Sequence, residues 1–370
     1  MRPTAYLEIS TLLETHWTGI PAVTAAIADY ALRDSAIDWH FFYGSLDVPR
    51  DFMEKLLVSR NGTEARTFLS AHVWGKHDIS YQDAAEGKAV FTTMKTVRRL
   101  FGSEAMVLYD LSPLLTPQFH TPETISHFSD RFRQDIESSD HFFCISRATR
   151  DDVVSYFDVP TSRTSLIPMG VEVDYSDVSN AQQIAHENEI EPYVVVLGTL
   201  EPRKNGRIVL QYLTRDPGFA SRFRVVFVGR NGWMTERSQL IQDIVSAGVR
   251  ADRVVFSGYV SEAEKVSLLL NSSFCIYASY FEGYGLPILE AAALRKLIVC
   301  SNSSSMPEVS PENCFFFDPL SLGQFARAMA LAEKRAPQLR PPATLPEIAT
   351  VVESRKWVDC YRGISEWVRA

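Results

Sequence analysis

The residues best suited to chemistry lie in one run, Glu282-Gly283-Tyr284-Gly285-Leu286-Pro287-Ile288-Leu289-Glu290. Two carboxylates bracket a glycine-hinged loop that leads into a helix. Gly283 and Gly285 let the backbone turn tightly and approach a ligand. Pro287 suits the first helical position, where no amide hydrogen is needed, and the free amides of that first turn attract an anion. A diphosphate fits there, so Gly283, Tyr284, Gly285, Leu286 and Pro287 form a candidate donor-binding turn. A carboxylate repels a diphosphate, so Glu282 and Glu290 serve better as hydroxyl acceptors at the two ends of a ligand, one sugar and one ribose.

A second run, Leu197-Gly198-Thr199-Leu200-Glu201-Pro202-Arg203-Lys204-Asn205, supplies two adjacent cations. It follows the apolar stretch Tyr193 to Leu197, which reads as a strand, and a turn at the carboxyl end of a parallel strand points into a crevice. Arg203 and Lys204 then belong beside a departing diphosphate. Taken singly, an acidic pair at a helix start or an Arg-Lys turn is more often a solvated charge than a site. The two runs together are far more specific.

With both runs in view, the chain resembles the retaining glycosyltransferases of family 4, which have the two-domain GT-B fold and move a sugar from a nucleotide diphosphate donor. The resemblance rests on Glu282 and Glu290 at their spacing, on Arg203 and Lys204, and on weaker echoes in the same order: Thr18-Gly19-Ile20, Ile167-Pro168-Met169-Gly170-Val171, Gly258-Tyr259-Val260, Ser305-Met306-Pro307-Glu308-Val309 and Asp318-Pro319. It implies that Glu282 touches the donor sugar, Glu290 the ribose, Arg203 and Lys204 the diphosphate, and Gly258, Tyr259 and Val260 the base. Gly19 and Gly198 would lend turn amides. Two departures from the family stand out. Thr199 follows Gly198 where many relatives carry an Arg, so Arg203 would take over part of that work. Tyr109-Asp110-Leu111 stands where relatives often carry His-Asp-Leu, which puts Tyr109 and Asp110 on the acceptor side as candidates. Asp110 also reads as a capping or turn aspartate.

Composition agrees with such a protein. The 370 residues suggest two domains, and 46% apolar with 22% charged residues describe a globular chain with a sizeable core. A formal net charge of −8 argues against nucleic acid. Cys144, Cys275, Cys300, Cys314 and Cys360 are scattered and odd in number, which points to buried thiols in a reducing compartment. No secretory leader is evident, and no apolar run approaches the ~18 residues of a spanning helix. The expectation is a cytoplasmic protein. Lys95-Thr96-Val97-Arg98-Arg99-Leu100-Phe101 leaves peripheral contact with the inner face of a membrane open, although a solvated helix face is the plainer reading.

Short apolar runs alternate with longer amphipathic ones, the pattern of parallel α/β layers. Strands are expected at Tyr6 to Ile9, Trp39 to Tyr43, Ala105 to Tyr109, His141 to Ile145 and Ser165 to Ile167. In the second half they fall at Tyr193 to Leu197, Arg224 to Val228, Arg253 to Phe256, Phe274 to Tyr277, Leu297 to Cys300 and Cys314 to Phe317. Helices are expected at Pro21 to Leu32, Pro122 to Ser138 and Thr235 to Ala247. A further helix, Glu262 to Leu270, opens on a Ser261/Glu264 capping box. The fold class is therefore α/β, two Rossmann-like domains facing a cleft. The N-terminal acceptor-binding domain spans 1–171, a polar linker 172–191 and the nucleotide-sugar domain 192–354. The proline-rich stretch Ala336 to Pro346 should be irregular. A helix over Ile348 to Val368 should follow, its last part (355–370) returning to the N-terminal domain through Trp357 and Trp367.

No two aspartates are separated by a single residue, so the Asp-x-Asp metal clamp is absent and neither metal nor cofactor is expected. Charge on the leaving phosphate must then be met by Arg203, Lys204 and the amides after Gly285. His16, His120 and His127 lie in the N-terminal half without a partner motif, and an isolated His is more often a satisfied polar residue than a base. The leading function is transfer of mannose from GDP-mannose, or of a related sugar, to a glycan or lipid-linked acceptor of a surface polysaccharide. A nucleotide-sugar epimerase or phosphorylase on the same fold, and a non-catalytic nucleotide- or carbohydrate-binding module, are the alternatives. A nicotinamide dehydrogenase is disfavoured, because no Gly-x-Gly-x-x-Gly follows the first strand.

Overall fold

A computed structural model describes the chain except residues 1, 16, 18, 72–77, 96–98, 188–190, 231–236, 311–312, 337–347, 349–351 and 353–354. The chain forms two compact units. Met1–Leu114, Ile125–Gly170 and Lys356–Ala370 make the first, Leu115–Thr124 and Val171–Arg355 the second. Residues 115–124 thus go with the second unit although they precede the expected boundary.

In the first unit a seven-stranded sheet has the order β3-β2-β1-β4-β5-β6-β7. Its strands are β1 (Thr4–Glu8), β2 (Asp38–Tyr43), β3 (Leu46–Val48), β4 (Lys88–Phe91), β5 (Ser103–Leu108), β6 (His141–Cys144) and β7 (Thr164–Leu166). All neighbours run parallel except β2 with β3. Near-continuous apolar strands such as His141–Cys144 are what a sheet covered on both faces requires, and Phe41, Phe42, Phe91, Phe142 and Phe143 are fully buried. The sequence reading missed β3 and β4, each too short to show a period. It also missed the helices Arg50–Ser59, Gly62–Ala71 and Arg147–Phe157.

In the basic segment beginning at Lys95 the lysine does not lie on a solvated face, whereas Arg99 is exposed. Lys95 and Phe101 are buried. Lys95 Nζ lies 2.6 Å from Glu104, whose other carboxylate oxygen accepts the Leu100 and Phe101 amides, and Arg99 pairs with Asp140 at 2.8 Å. A buried lysine must find such a partner, and that requirement overrides the exposed reading of its charge. Residues 96–98 lie outside the described part.

The last helix, Trp357–Arg369, packs into the first unit; of the stretch expected to be helical before it, Ile348 and Val352 are helical, 355–356 are not, and 349–351 and 353–354 lie outside the described residues. Its buried face carries Trp357, Cys360, Tyr361, Ile364 and Val368. The Tyr361 hydroxyl accepts from the Trp39 indole at 2.9 Å and donates to Asp34 at 2.7 Å. Trp367 stacks on His141 at 6.0 Å, with Lys88 over its ring. A Cβ on Gly170 would meet the Trp357 backbone nitrogen at 2.4 Å, so only glycine allows this approach.

The second unit carries a six-stranded parallel sheet in the order β10-β9-β8-β11-β12-β13. The strands are β8 (Tyr193–Leu197), β9 (Arg224–Val228), β10 (Val254–Gly258), β11 (Phe274–Tyr277), β12 (Ile298–Ser301) and β13 (Cys314–Phe317). This is the doubly wound Rossmann order, in which the chain leaves β8 in one direction and returns to β11 on its other side. The expected linker is in large part a helix of this unit, Tyr175–Glu187. Its small apolar residues Val178 and Ala181 are buried, and Asn271 of the helix Glu262–Asn271 donates to the Ala181 carbonyl. Three-residue spacing of small side chains builds a packing stripe that a search for large apolar residues overlooks. The stretch 337–347 lies outside the described residues. Among the described residues no helix is long and apolar enough to cross a membrane.

Glu8, at the carboxyl end of β1, is fully buried, with Ser10 as its hydrogen-bond partner through the amide and hydroxyl, both at 3.0 Å. Burial, only partly offset by Ser10, pushes its carboxyl from the ordinary 4.5 up to about 7. The folded state therefore holds this proton where the unfolded chain releases it, and stability falls as pH rises from 4.5 to 7. The loss is on the order of 3 kcal/mol. Glu8→Gln should flatten this slope and raise the melting temperature at pH 8 relative to the unmodified chain, measured by thermal denaturation across that range.

Candidate functional site

In a doubly wound sheet, ligands bind beyond the carboxyl ends of the strands where the winding reverses. Here that point lies between β8 and β11, and both sequence runs emerge from it. After β8 the chain turns at Gly198, forms a short 3-10 turn Pro202–Lys204 and enters the helix Gly206–Arg215. After β11 it forms the loop carrying Glu282 and enters the helix Leu286–Ala293. Leu286, rather than Pro287, is the first helical residue. Pro287 in the first turn still withholds no needed amide.

The two runs meet through their charges. Lys204 Nζ lies 2.6 Å from Glu282 Oε1 and 3.3 Å from the Tyr277 hydroxyl. Arg203 Nη1 lies 3.0 Å from Glu282 Oε2 and donates to the Phe281 carbonyl at 2.6 Å, while Nη2 pairs with Glu201 at 2.8 Å. The backbone joins in, since the Tyr280 amide donates to the Arg203 carbonyl at 2.8 Å. Burial alone would push the Glu282 carboxyl up, but Arg203 and then Lys204 outweigh it and hold it at about 2. Glu282 is therefore an anion at every physiological pH, an obligate hydrogen-bond acceptor. Glu201 behaves differently: burial raises its carboxyl, and the neighbouring cations do not fully cancel the effect.

Three serines hold the Glu282 loop from beyond β12. Ser303 donates to the Tyr280 carbonyl at 2.7 Å, Ser304 to that of Glu282 at 2.7 Å, and Ser305 lies 2.8 Å from both the Glu282 and Tyr284 carbonyls. From the other side, the Phe119 ring stacks on Tyr280 with centroids 4.6 Å apart and planes 3° from parallel. Gly198, at φ +126°, lies under the Lys204 side chain, and a Cβ there would come within 3.3 Å of it. Gly285, at φ +109°, caps the helix that follows. Non-glycine residues rarely hold such angles. In that first turn Pro287 has no amide hydrogen and Ile288 donates to the Gly285 carbonyl at 2.8 Å, which leaves the Leu286 amide as the donor an anion would meet.

Glu290, one turn further along the helix, pairs with Lys265 at 2.9 Å. Lys265 lies on the helix Glu262–Asn271, opened by the Ser261/Glu264 capping box, and also touches Glu262 at 2.7 Å. That helix follows Gly258, Tyr259 and Val260 at the carboxyl end of β10, where Tyr259 is half exposed. The Gly258 carbonyl accepts the Gly229 amide, and Gly229 packs directly on the Gly198 carbonyl. The sequence reading missed Glu201, Tyr277, Lys265, Gly229, Ser303 and Ser304. Lys265 had a signal, since it lies in the first two turns of the helix entered from Gly258-Tyr259-Val260.

The remaining candidates lie in the first unit. Gly19 caps the helix Ile20–Arg33 with φ +64° and open space at its Cβ position, while Thr18 and His16 are outside the described residues. The Tyr109 hydroxyl is buried beside Thr24 and Cys360, which raises it well above its usual range, while the residue as a whole is partly exposed. Asp110 accepts the Ser112 amide at 2.8 Å, the turn role weighed from sequence. It also helps burial raise Asp152 to about 6. In the second unit a cavity of about 310 Å³, lined by Tyr193, Arg224, Val226 and Leu268 among others, holds none of the candidate residues.

Comparison with known proteins agrees with this geometry. Residues 177–341 match the family model described as glycosyl transferases group 1. O-antigen chain mannosyltransferase B of Escherichia coli is 27% identical over 216 residues, which cover 57% of this chain and 56% of that protein. The chain thus spans about half the length of that curated relative. Among solved structures, HepE of Anabaena in complex with UDP and glucose superimposes with a TM-score of 0.68 at 16% identity, covering 99% of both chains. WaaG, a glycosyltransferase involved in lipopolysaccharide biosynthesis, gives a TM-score of 0.64 at 10% identity over 99% of each chain. The chain thus has the GT-B fold along its length, and its residues 177–341 are similar to the glycosyl transferases of group 1.

Proposed function

We propose that the protein is a retaining glycosyltransferase that moves a sugar from a nucleotide diphosphate donor to a glycan or lipid-linked glycan in surface-polysaccharide assembly. The observation that carries this reading is the contact of Lys204 and Arg203 with Glu282, at the loop that leads through Gly285 into a helix. Glu282 accepts hydroxyls of the donor sugar, Glu290 those of the ribose, and Gly258, Tyr259 and Val260 border the base. In the reaction, the bond from the anomeric carbon to the β-phosphate oxygen breaks and its electron pair stays on that oxygen. The acceptor hydroxyl bonds to the same face of the carbon, and its proton passes to the departing phosphate. Lys204, Arg203 and the Leu286 amide meet the charge that develops there, and prealigned groups of this kind need no reorganisation as it forms. No metal or cofactor enters the scheme.

Mannose is the preferred sugar, supported by the name of the Escherichia coli relative, with GDP-mannose as the donor proposed to carry it. The UDP bound by HepE makes a uridine donor the second choice. A thermal-shift panel of GDP, UDP, ADP and dTDP separates them, since a ligand at 100 times its Kd stabilises the folded state by about 2.7 kcal/mol. One base should shift the melting temperature clearly more than the others. No shift with any of the four would remove the nucleotide site. Turnover of the matching sugar nucleotide without an added acceptor would favour the epimerase reading, and sugar-phosphate release in inorganic phosphate the phosphorylase reading.

Two substitutions test the residues. Lys204→Ala should lower kcat by 10² to 10³, or ~2.7–4 kcal/mol of barrier, the cost of losing one prealigned charge partner. Glu290→Ala should act mainly on KM for the donor, because the ribose is bound equally in ground and transition states. Turnover within a few-fold of the unmodified chain in both variants would show that the site has been misplaced.

A further inference from the structure

The four charged groups at the switch point cancel. Glu201, Glu282, Arg203 and Lys204 form one contiguous cluster, with Glu201 bound to Arg203 at 2.8 Å and Glu282 bound to both cations. All four side chains are largely inside, at 3%, 8%, 13% and 16% exposure. A nucleotide sugar brings a further doubly charged diphosphate to this cluster, and uncompensated charge in a buried setting is strongly disfavoured. Two cations already saturated by carboxylates have little charge left for a phosphate. One carboxylate must therefore yield.

Resting on the donor site described under Proposed function, we propose that Glu201 is a positioning and charge-balancing residue that takes up a proton when the diphosphate binds, freeing Arg203 for the ligand. Geometry separates it from Glu282. Glu282 is gripped by Arg203 and Lys204 together, and its backbone carbonyl by two serines, whereas the ion-pair contact of Glu201 is to Arg203. The charged groups facing Glu201 are Arg203, Lys204 and Glu282, the first two lowering and the last raising its affinity for a proton. Burial has already moved the Glu201 carboxyl up, while Glu282 is held at about 2. A new anion beside the cluster pushes Glu201 further in the direction it has already moved, and costs least there.

Isothermal titration calorimetry at pH 7 in two buffers of different ionisation enthalpy, with GDP-mannose and UDP-glucose as probes, reads the proton count directly. The diphosphate of both probes carries no titrating proton near neutrality, so any uptake belongs to the protein. The unmodified chain should take up a measurable fraction of one proton per ligand bound, and its affinity should fall as pH rises from 6 to 8, by up to about tenfold per unit. Glu201→Gln keeps an acceptor for Arg203 but cannot titrate. It should bind without proton uptake and with a flat pH profile, and its kcat/KM should lose the same pH dependence. Zero uptake by the unmodified chain, or equal uptake by Glu201→Gln, overturns the assignment while leaving the donor site intact. Failure of both probes to bind overturns the donor site itself.

Discussion

The second unit is organised around one constraint: Glu282, a carboxylate with little solvent contact, must stay charged. Burial opposes that charge, and two cations from a neighbouring strand's turn do most to reverse the balance. Those cations reach it because β8 and β11 lie side by side in the sheet although nearly eighty residues separate Lys204 from Glu282. Strand order, turn glycines and serine contacts all serve this pairing. Were β8 and β11 not neighbours, the same residues would be unrelated surface charges.

The fold was largely legible because buried parallel strands leave continuous apolar runs. Tyr193–Leu197, Arg224–Val228, Phe274–Tyr277 and Cys314–Phe317 emerge with the bounds read from sequence. What escaped were elements whose stabilisation comes from elsewhere. The strand Leu46–Val48 is three residues long and held by an antiparallel neighbour. The helix Tyr175–Glu187 is tied down by small residues against Glu262–Asn271, which a tally of large apolar side chains cannot detect.

The site was legible in its parts and not in its wiring. Spacing and the family resemblance singled out Glu282, Glu290, Arg203 and Lys204, and the fold brings Glu282 together with Arg203 and Lys204. Partnerships such as Lys265 with Glu290 or Ser304 with the Glu282 carbonyl depend on distances across the sheet. A periodicity carries no such information. The reverse error occurred at Lys95, whose charge suggested a surface and whose partner Glu104 lies inside.

The helix Trp357–Arg369 has a consequence for how the molecule comes to be made. Its aromatic residues fill the first unit, against Trp39 and Asp34 near the opposite end of the chain. On a ribosome, the first unit must wait, with that apolar surface uncovered, while the intervening residues of the second are synthesised at roughly 5–20 per second. The second unit can close in the meantime, since all its strands have by then emerged. Nascent chains should therefore attract chaperones mainly through their earliest portion, and release them only when the final helix arrives.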